Sequence, residues 1–169
     1  DAARTYWSPD LGGEALTVEI DVPPSAAVAQ VQVSVPALSH VFVDPKAAGS
    51  LSKAGACNRD VSCSTEYDQL SKSVALMTYT DGAMTYSCTG TLLNDRMSSG
   101  TPYFLSAHHC ISNQTVASTL VTTWFYKSAT CNSSQINPGA QMRSGGATLL
   151  YANDSTDTSF MRLNSHPAA

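Results

Sequence analysis

The segment GTPYFLSAHHCISN, residues 100–113, runs from an apolar stretch into His108, His109 and Cys110. The chain holds four histidines in all, so two of them side by side ask for a chemical reason. An imidazole titrates near neutral pH and serves as metal ligand or general base. The metal reading is weak on geometry. Adjacent side chains on a strand point to opposite faces, and a tetrahedral zinc site draws its ligands from spaced pairs. None of the five cysteines, at 57, 63, 88, 110 and 131, stands in a C-x-x-C pair. A histidine at a strand end can also be purely structural. Three features favour a base. His109 directly precedes a cysteine whose disulfide could pin its backbone. It follows FLSA, an apolar strand ending in small residues. About fifty residues on, TDTSFMRL places an acid, Asp157, at the mouth of another apolar strand. A general base needs a rigid backbone and a carboxylate that fixes its ring and tautomer.

These residues resemble a known family. FLSAHHC is similar to the histidine motif of chymotrypsin-like serine peptidases, in which the catalytic His immediately precedes a cysteine. TDTSFMRL is similar to that family's aspartate motif. GACNRDVSC, SCTGTLLN, PYFLSAHHC, TTWFYKSATC and the aspartate segment occur in the order seen in bacterial lysyl endopeptidases, over residues 55–163. The resemblance implies that His109 is the general base and Asp157 the carboxylate that orients it. His108 stands where the wider family commonly has Ala, so it is not the base. Asp154, in the turn-like ANDS, is the nearest competitor of Asp157 and reads as solvent-facing. The resemblance also implies disulfides Cys88–Cys110 and Cys63–Cys131. Cys57 then remains for a partner late in the complete peptidase, which accounts for the odd count. The implied fold is an antiparallel β-barrel, the first half of a two-barrel trypsin-like enzyme. The implied substrate is a protein or peptide, cut after lysine. No cofactor and no metal follow.

The nucleophile is not legible. The sequence has no GDSGG and no GSSGSP-like segment. SSGTP, residues 98–102, lies about ten residues before His109. At ~3.3 Å per extended residue that is on the order of 30 Å if straight. CNSSQ has no glycine elbow. The expectation is that the serine, the oxyanion donors and the specificity pocket belong to a second barrel outside residues 1–169, disulfide-linked through Cys57, and that this chain alone is inactive. The alternative is a non-catalytic secreted β-barrel binding or adhesion module that keeps the motifs without the chemistry.

The elements that must position these groups read as strands. SVALMTYT, YSCTGTLL, PYFLSA, STLVTTWFY, ATLLYA and SFMRL are short apolar runs separated by DG, NDR, SSG, NPG and SGG. Helical periodicity is weak throughout, so the class is all-β. On a strand His108 would point away from the His109–Asp157 pair. Asp157 is expected to face Nδ1 of His109 and to accept backbone N–H groups nearby. Before residue 50 the character changes. Leu16, Val18, Ile20 and Val22 alternate with polar neighbours, as do Val31, Val33 and Val35, and HVFVDP adds a third strand candidate. The expected division is therefore a β-rich segment at 1–50, a linker at 51–56, and the peptidase barrel at 57–169. Mature enzymes of the resembled type begin shortly before the first cysteine. Residues 1–50 thus resemble the end of a pro-region, cut after Lys53 or Lys46; the alternative is an accessory module joined through ordinary linker lysines.

Composition sets the outer limits. A net charge of −4, with 13% charged residues and no basic run, argues against nucleic acid. No apolar stretch is long enough to span a bilayer. Low charge, abundant Ser and Thr, and dispersed cysteines suggest a secreted protein whose leader is removed. Asn113, Asn132 and Asn153 open Asn-x-Ser/Thr triplets, which arise often by chance in such a composition.

Overall fold

The structure, a computed structural model, describes residues 6–8, 11, 13–39, 57–133 and 135–167. Seven strands form one antiparallel sheet: β1 (Val74–Asp81), β2 (Met84–Leu93), β3 (Tyr103–Ser106), β4 (Val121–Trp124), β5 (Gln141–Arg143), β6 (Ala147–Asn153) and β7 (Thr158–Leu163). Their order is β5-β4-β1-β2-β3-β7-β6. Two short helices accompany them, α1 (Asp68–Ser71) and α2 (Gln114–Ser118). Among the described residues no helix is long and apolar enough to cross a membrane.

The alternation read in the sequence is the alternation buried in the sheet. Ala75, Met77 and Tyr79 of β1 point inward with Phe104 of β3, Trp124 of β4 and Met161 of β7. Asp81 pairs with Met84 across a turn through Gly82, whose φ of +60° an L side chain rarely adopts. Phe104 and Trp124 meet edge to face, ring centroids 5.9 Å apart. Each such fully buried side chain is worth roughly 1.5–3 kcal/mol over its exposed state.

The fold is all-β, but the sheet is not closed. Its ladder ends at β5 on one side and β6 on the other. Gly146, in the β5–β6 connection, ties the start of β4 to the end of β7: its N–H donates to the Leu120 carbonyl (3.1 Å), and its carbonyl accepts from the Asn164 N–H (3.1 Å). A side chain there would put Cβ 2.5 Å from the Ser118 carbonyl oxygen, at a φ of +69°. The free edge of β6 is covered from α2. Gln114 Nε2 donates to the Ala147 carbonyl (2.9 Å), and its Oε1 accepts from the Leu149 N–H (2.8 Å). A side-chain amide thus does the work of a neighbouring strand.

Residues 13–39 correct the β-rich expectation. No strand forms there among the described residues; the one regular element is a 3-10 turn at Val28–Gln30. Leu16, Val18, Ile20, Val31, Val33 and Val35 are all exposed. Alternation needs a second ladder and an apolar face to bury against, and this segment finds neither among the described residues. A contact of 2.5 Å between the Ser39 and Thr85 hydroxyl oxygens joins it to the β1–β2 hairpin. HVFVDP and the 51–56 linker lie outside the described residues.

Candidate active site

Strand β3 stops at Ser106, and the chain turns at once. The Cys110 and Ile111 N–H groups both donate to the Ala107 carbonyl (3.2 and 3.1 Å). Cys110 is disulfide-bonded to Cys88 on β2, and Ile111 is fully buried. His109 therefore rides on a closed turn with a covalent anchor on its C-terminal side. Asn113 then caps α2, accepting from the Val116 N–H (3.1 Å). The histidines lie in this turn, not on the strand the sequence suggested.

The acid comes from the β6–β7 connection. Asn153 Oδ1 accepts from the Ser155 hydroxyl (2.6 Å) and the Thr156 N–H (3.1 Å). The Asp157 N–H donates to the Asp154 carbonyl (3.1 Å), closing a tight turn. Asp157 has φ +46°, a left-handed conformation that Asp adopts more readily than most residues. The β3–β7 ladder pairs Ser106 with Ser159 at its last rung, so the two turns emerge side by side.

There the Asp157 carboxylate holds His109 at two points. Oδ1 accepts the His109 backbone N–H (2.9 Å), and Oδ2 lies 2.7 Å from Nδ1 of the ring. The His109 N–H, then the ring hydrogen bond, keeps the Asp157 carboxyl below its ordinary range, with the charges of His109 and His108 adding to the effect. An ionised Asp157 makes Nδ1 the protonated ring nitrogen and leaves Nε2 as acceptor. Both side chains are open, His109 69% and Asp157 52% exposed. Beside them runs a shallow groove of about 350 Å³, lined by Val74, Thr91, Leu105, Ala107 and Asp157 among others.

The strand setting expected for His108 is corrected. It lies in the turn, and its Nδ1 is 3.5 Å from Asp154 Oδ1. Asp154 is as solvent-facing as expected, at 96% exposure, and is His108's partner rather than a rival of Asp157. Cys88, His109 and Cys110 bring donor atoms within 4.8 Å of one another, but both sulfurs are spent in the disulfide. Ser99 of SSGTP lies before β3, at the end of the strand away from His109, and its hydroxyl is bonded to Asp95 Oδ2 (2.5 Å) and to Thr101.

The second disulfide joins Cys63 to Cys131, and Cys57 is exposed and free. Sequence reasoning passes over Asp60, which fastens this region. Its carboxylate accepts from the Ser62 N–H and hydroxyl (2.9 and 2.8 Å) and from the Asn132 N–H (2.9 Å). Burial pushes the Asp60 carboxyl up, but hydrogen bonds from Ser128, Ser62 and Asn132 outweigh it and leave it below its ordinary value. Its one signal in the sequence is an Asp two residues before a Ser, the pattern of a short capping turn.

Residues 51–169 match the family profile described as lysyl endopeptidase, C-terminal domain, and residues 1–42 match lysyl endopeptidase N-terminal domain. A lysyl endopeptidase from Pseudomonas aeruginosa (strain PAO1) is 36% identical over 178 aligned residues, which take in 98% of this chain. The chain spans 38% of the length of that relative.

Proposed function

The chain belongs to the lysyl endopeptidase family, and we propose that it supplies the histidine and aspartate of a secreted serine endopeptidase that cuts after lysine. The observation that supports this reading is the double hold of Asp157 on His109, through the backbone N–H and Nδ1. In this reading His109 Nε2 takes the proton of a nucleophilic serine and returns it to the leaving amine. Asp157 stays ionised and steadies the imidazolium. The carboxyl's lowered proton affinity suits that role.

The serine, the oxyanion donors and the lysine pocket come from protein outside residues 1–169, packed over the groove beside Val74, Leu105 and Asp157. Cys57 pairs with a cysteine there. Residues 57–169 are the peptidase part, 51–56 a linker, and 1–50 a pro-segment removed after Lys46 or Lys53. Two disulfides in a chain of this size favour an oxidising, extracellular setting.

The test is cleavage of a lysyl peptide by the full-length protein. Asp157→Asn is expected to lower kcat by about 10,000-fold, and His109→Ala by at least as much. The 169-residue chain alone is expected to cleave nothing. Retention of most activity in His109→Ala overturns the assignment. A full-length protein that binds peptides without cutting them favours the binding module.

A further inference from the structure

Two adjacent histidines face two acids three residues apart. His109 holds Asp157, and His108 faces Asp154 at 3.5 Å. Both acids belong to the same β6–β7 turn, one at each end of its closing hydrogen bond, from the Asp157 N–H to the Asp154 carbonyl. We propose that His108 is a positioning residue, acting through Asp154 to clamp the near end of the turn whose far end presents the Asp157 carboxylate to His109. This rests on the reading of His109 and Asp157 as the catalytic couple.

That turn has restraints of its own. Inside it, Asn153 Oδ1 accepts from Ser155 and Thr156, which shapes the bend but ties it to nothing else. Its near end continues β6 and its far end begins β7. Asp157 sits at φ +46°, a backbone state that relaxes unless its surroundings hold it. Between the acid turn and the histidine turn the side-chain ties are those of His109 to Asp157 and of His108 to Asp154. The β6–β7 ladder closes beneath the turn at Asn153 and Thr158, and the second tie adds a hold on the near end above that rung. With it, each end of the turn is tied to the histidine turn as well as to the other.

The two partners of the clamp are unequal. The His108 side chain is only 23% exposed, so its ring direction is set by packing, whereas Asp154 is 96% exposed. The packed ring therefore places the exposed acid, and not the reverse. The His108 charge also adds to the forces that keep Asp157 ionised. An exposed ion pair contributes little to global stability. Its effect belongs in the local population of the closed turn and not in the melting temperature.

The experiment uses the full-length protein with His108→Gln, Asp154→Asn and both together. Hydrogen exchange is read at the backbone amides of Asp157 and His109, whose acceptors are the Asp154 carbonyl and Asp157 Oδ1. Each single variant is expected to speed exchange at both amides by about two- to five-fold, the scale of one exposed pair. Amides within β3 and β7 should stay unchanged. On a lysyl peptide kcat should fall by a similar factor at unchanged KM, and the double variant should be no worse than the more affected single. Asp154→Glu should restore part of the loss. Unchanged exchange at Asp157 in Asp154→Asn overturns the proposal, as does a double variant that sums the two singles. The exchange readout does not depend on turnover. If His109→Ala keeps full activity, the catalytic reading fails while the clamp is still judged on its own.

Discussion

Residues 13–39 and the strands between 74 and 163 carry the same apolar alternation, and they end in opposite states. Ala75, Met77 and Tyr79 of β1 are buried, with β2 and β4 bonded on either side. Leu16, Val18, Ile20 and Val22 repeat that pattern and remain exposed, with no strand beside them among the described residues. Alternation states which face a segment could bury. Only a neighbouring ladder and an opposing core decide whether it does.

Paired substitutions in the two regions break or sharpen this contrast. The largest effect is expected in the core. Trp124→Ala removes a fully buried ring that packs on Phe104 and donates to Thr122 (2.9 Å). It should cost about 3–5 kcal/mol in denaturant unfolding. Val33→Ala, at 58% exposure, should change stability by less than about 0.5 kcal/mol. Equal losses would mean that the N-terminal segment is packed after all.

Gly146→Ala comes next, because Cβ meets the Ser118 carbonyl where the β5–β6 connection ties β4 to β7. A loss of about 2–3 kcal/mol is expected, combining strain at positive φ with the forced shift. Gln114→Ala should cost about 1–2 kcal/mol, since two backbone groups at the β6 edge lose their partner. Faster exchange confined to the Leu149 amide would locate the damage.

The smallest effect concerns acid. The Asp60 carboxyl lies below its ordinary value in the folded chain. Its contribution is therefore complete above the unfolded-state value and fades as pH falls through the lower folded one. Asp60→Asn should be less stable than the parent at neutral pH, and the gap should narrow in thermal melts run below the ordinary carboxylate range. A gap that is constant with pH would show that Asp60 acts by shape alone.

Much of the sheet is legible in single runs. SVALMTYT, YSCTGTLL and SFMRL become β1, β2 and β7 to within two residues at either end. β5 is not legible, because three residues, Gln141–Arg143, are too few to show a period. Neither is α2, at five residues. Its signal is a cap: Asn113, which sequence reading takes for an Asn-x-Thr triplet, accepts the Val116 N–H. His108 is misplaced for a related reason. The run PYFLSA predicts its strand well but not where the strand stops, and two residues of turn suffice to cancel the alternation rule.

The sequence by itself determines which groups are available: a histidine pair backed by a cysteine, acids at 154 and 157, and apolar strands to carry them. Each is a matter of residue type and local period, which short-range sterics and burial enforce. The assignment of acid to histidine belongs to the tertiary structure. Asp157 meets His109 across 48 residues because β3 and β7 pair in one register, ending at Ser106 and Ser159, and because a left-handed residue aims the carboxylate. Register is a property of two strands together, and a shift of one residue would turn every side chain to the other face.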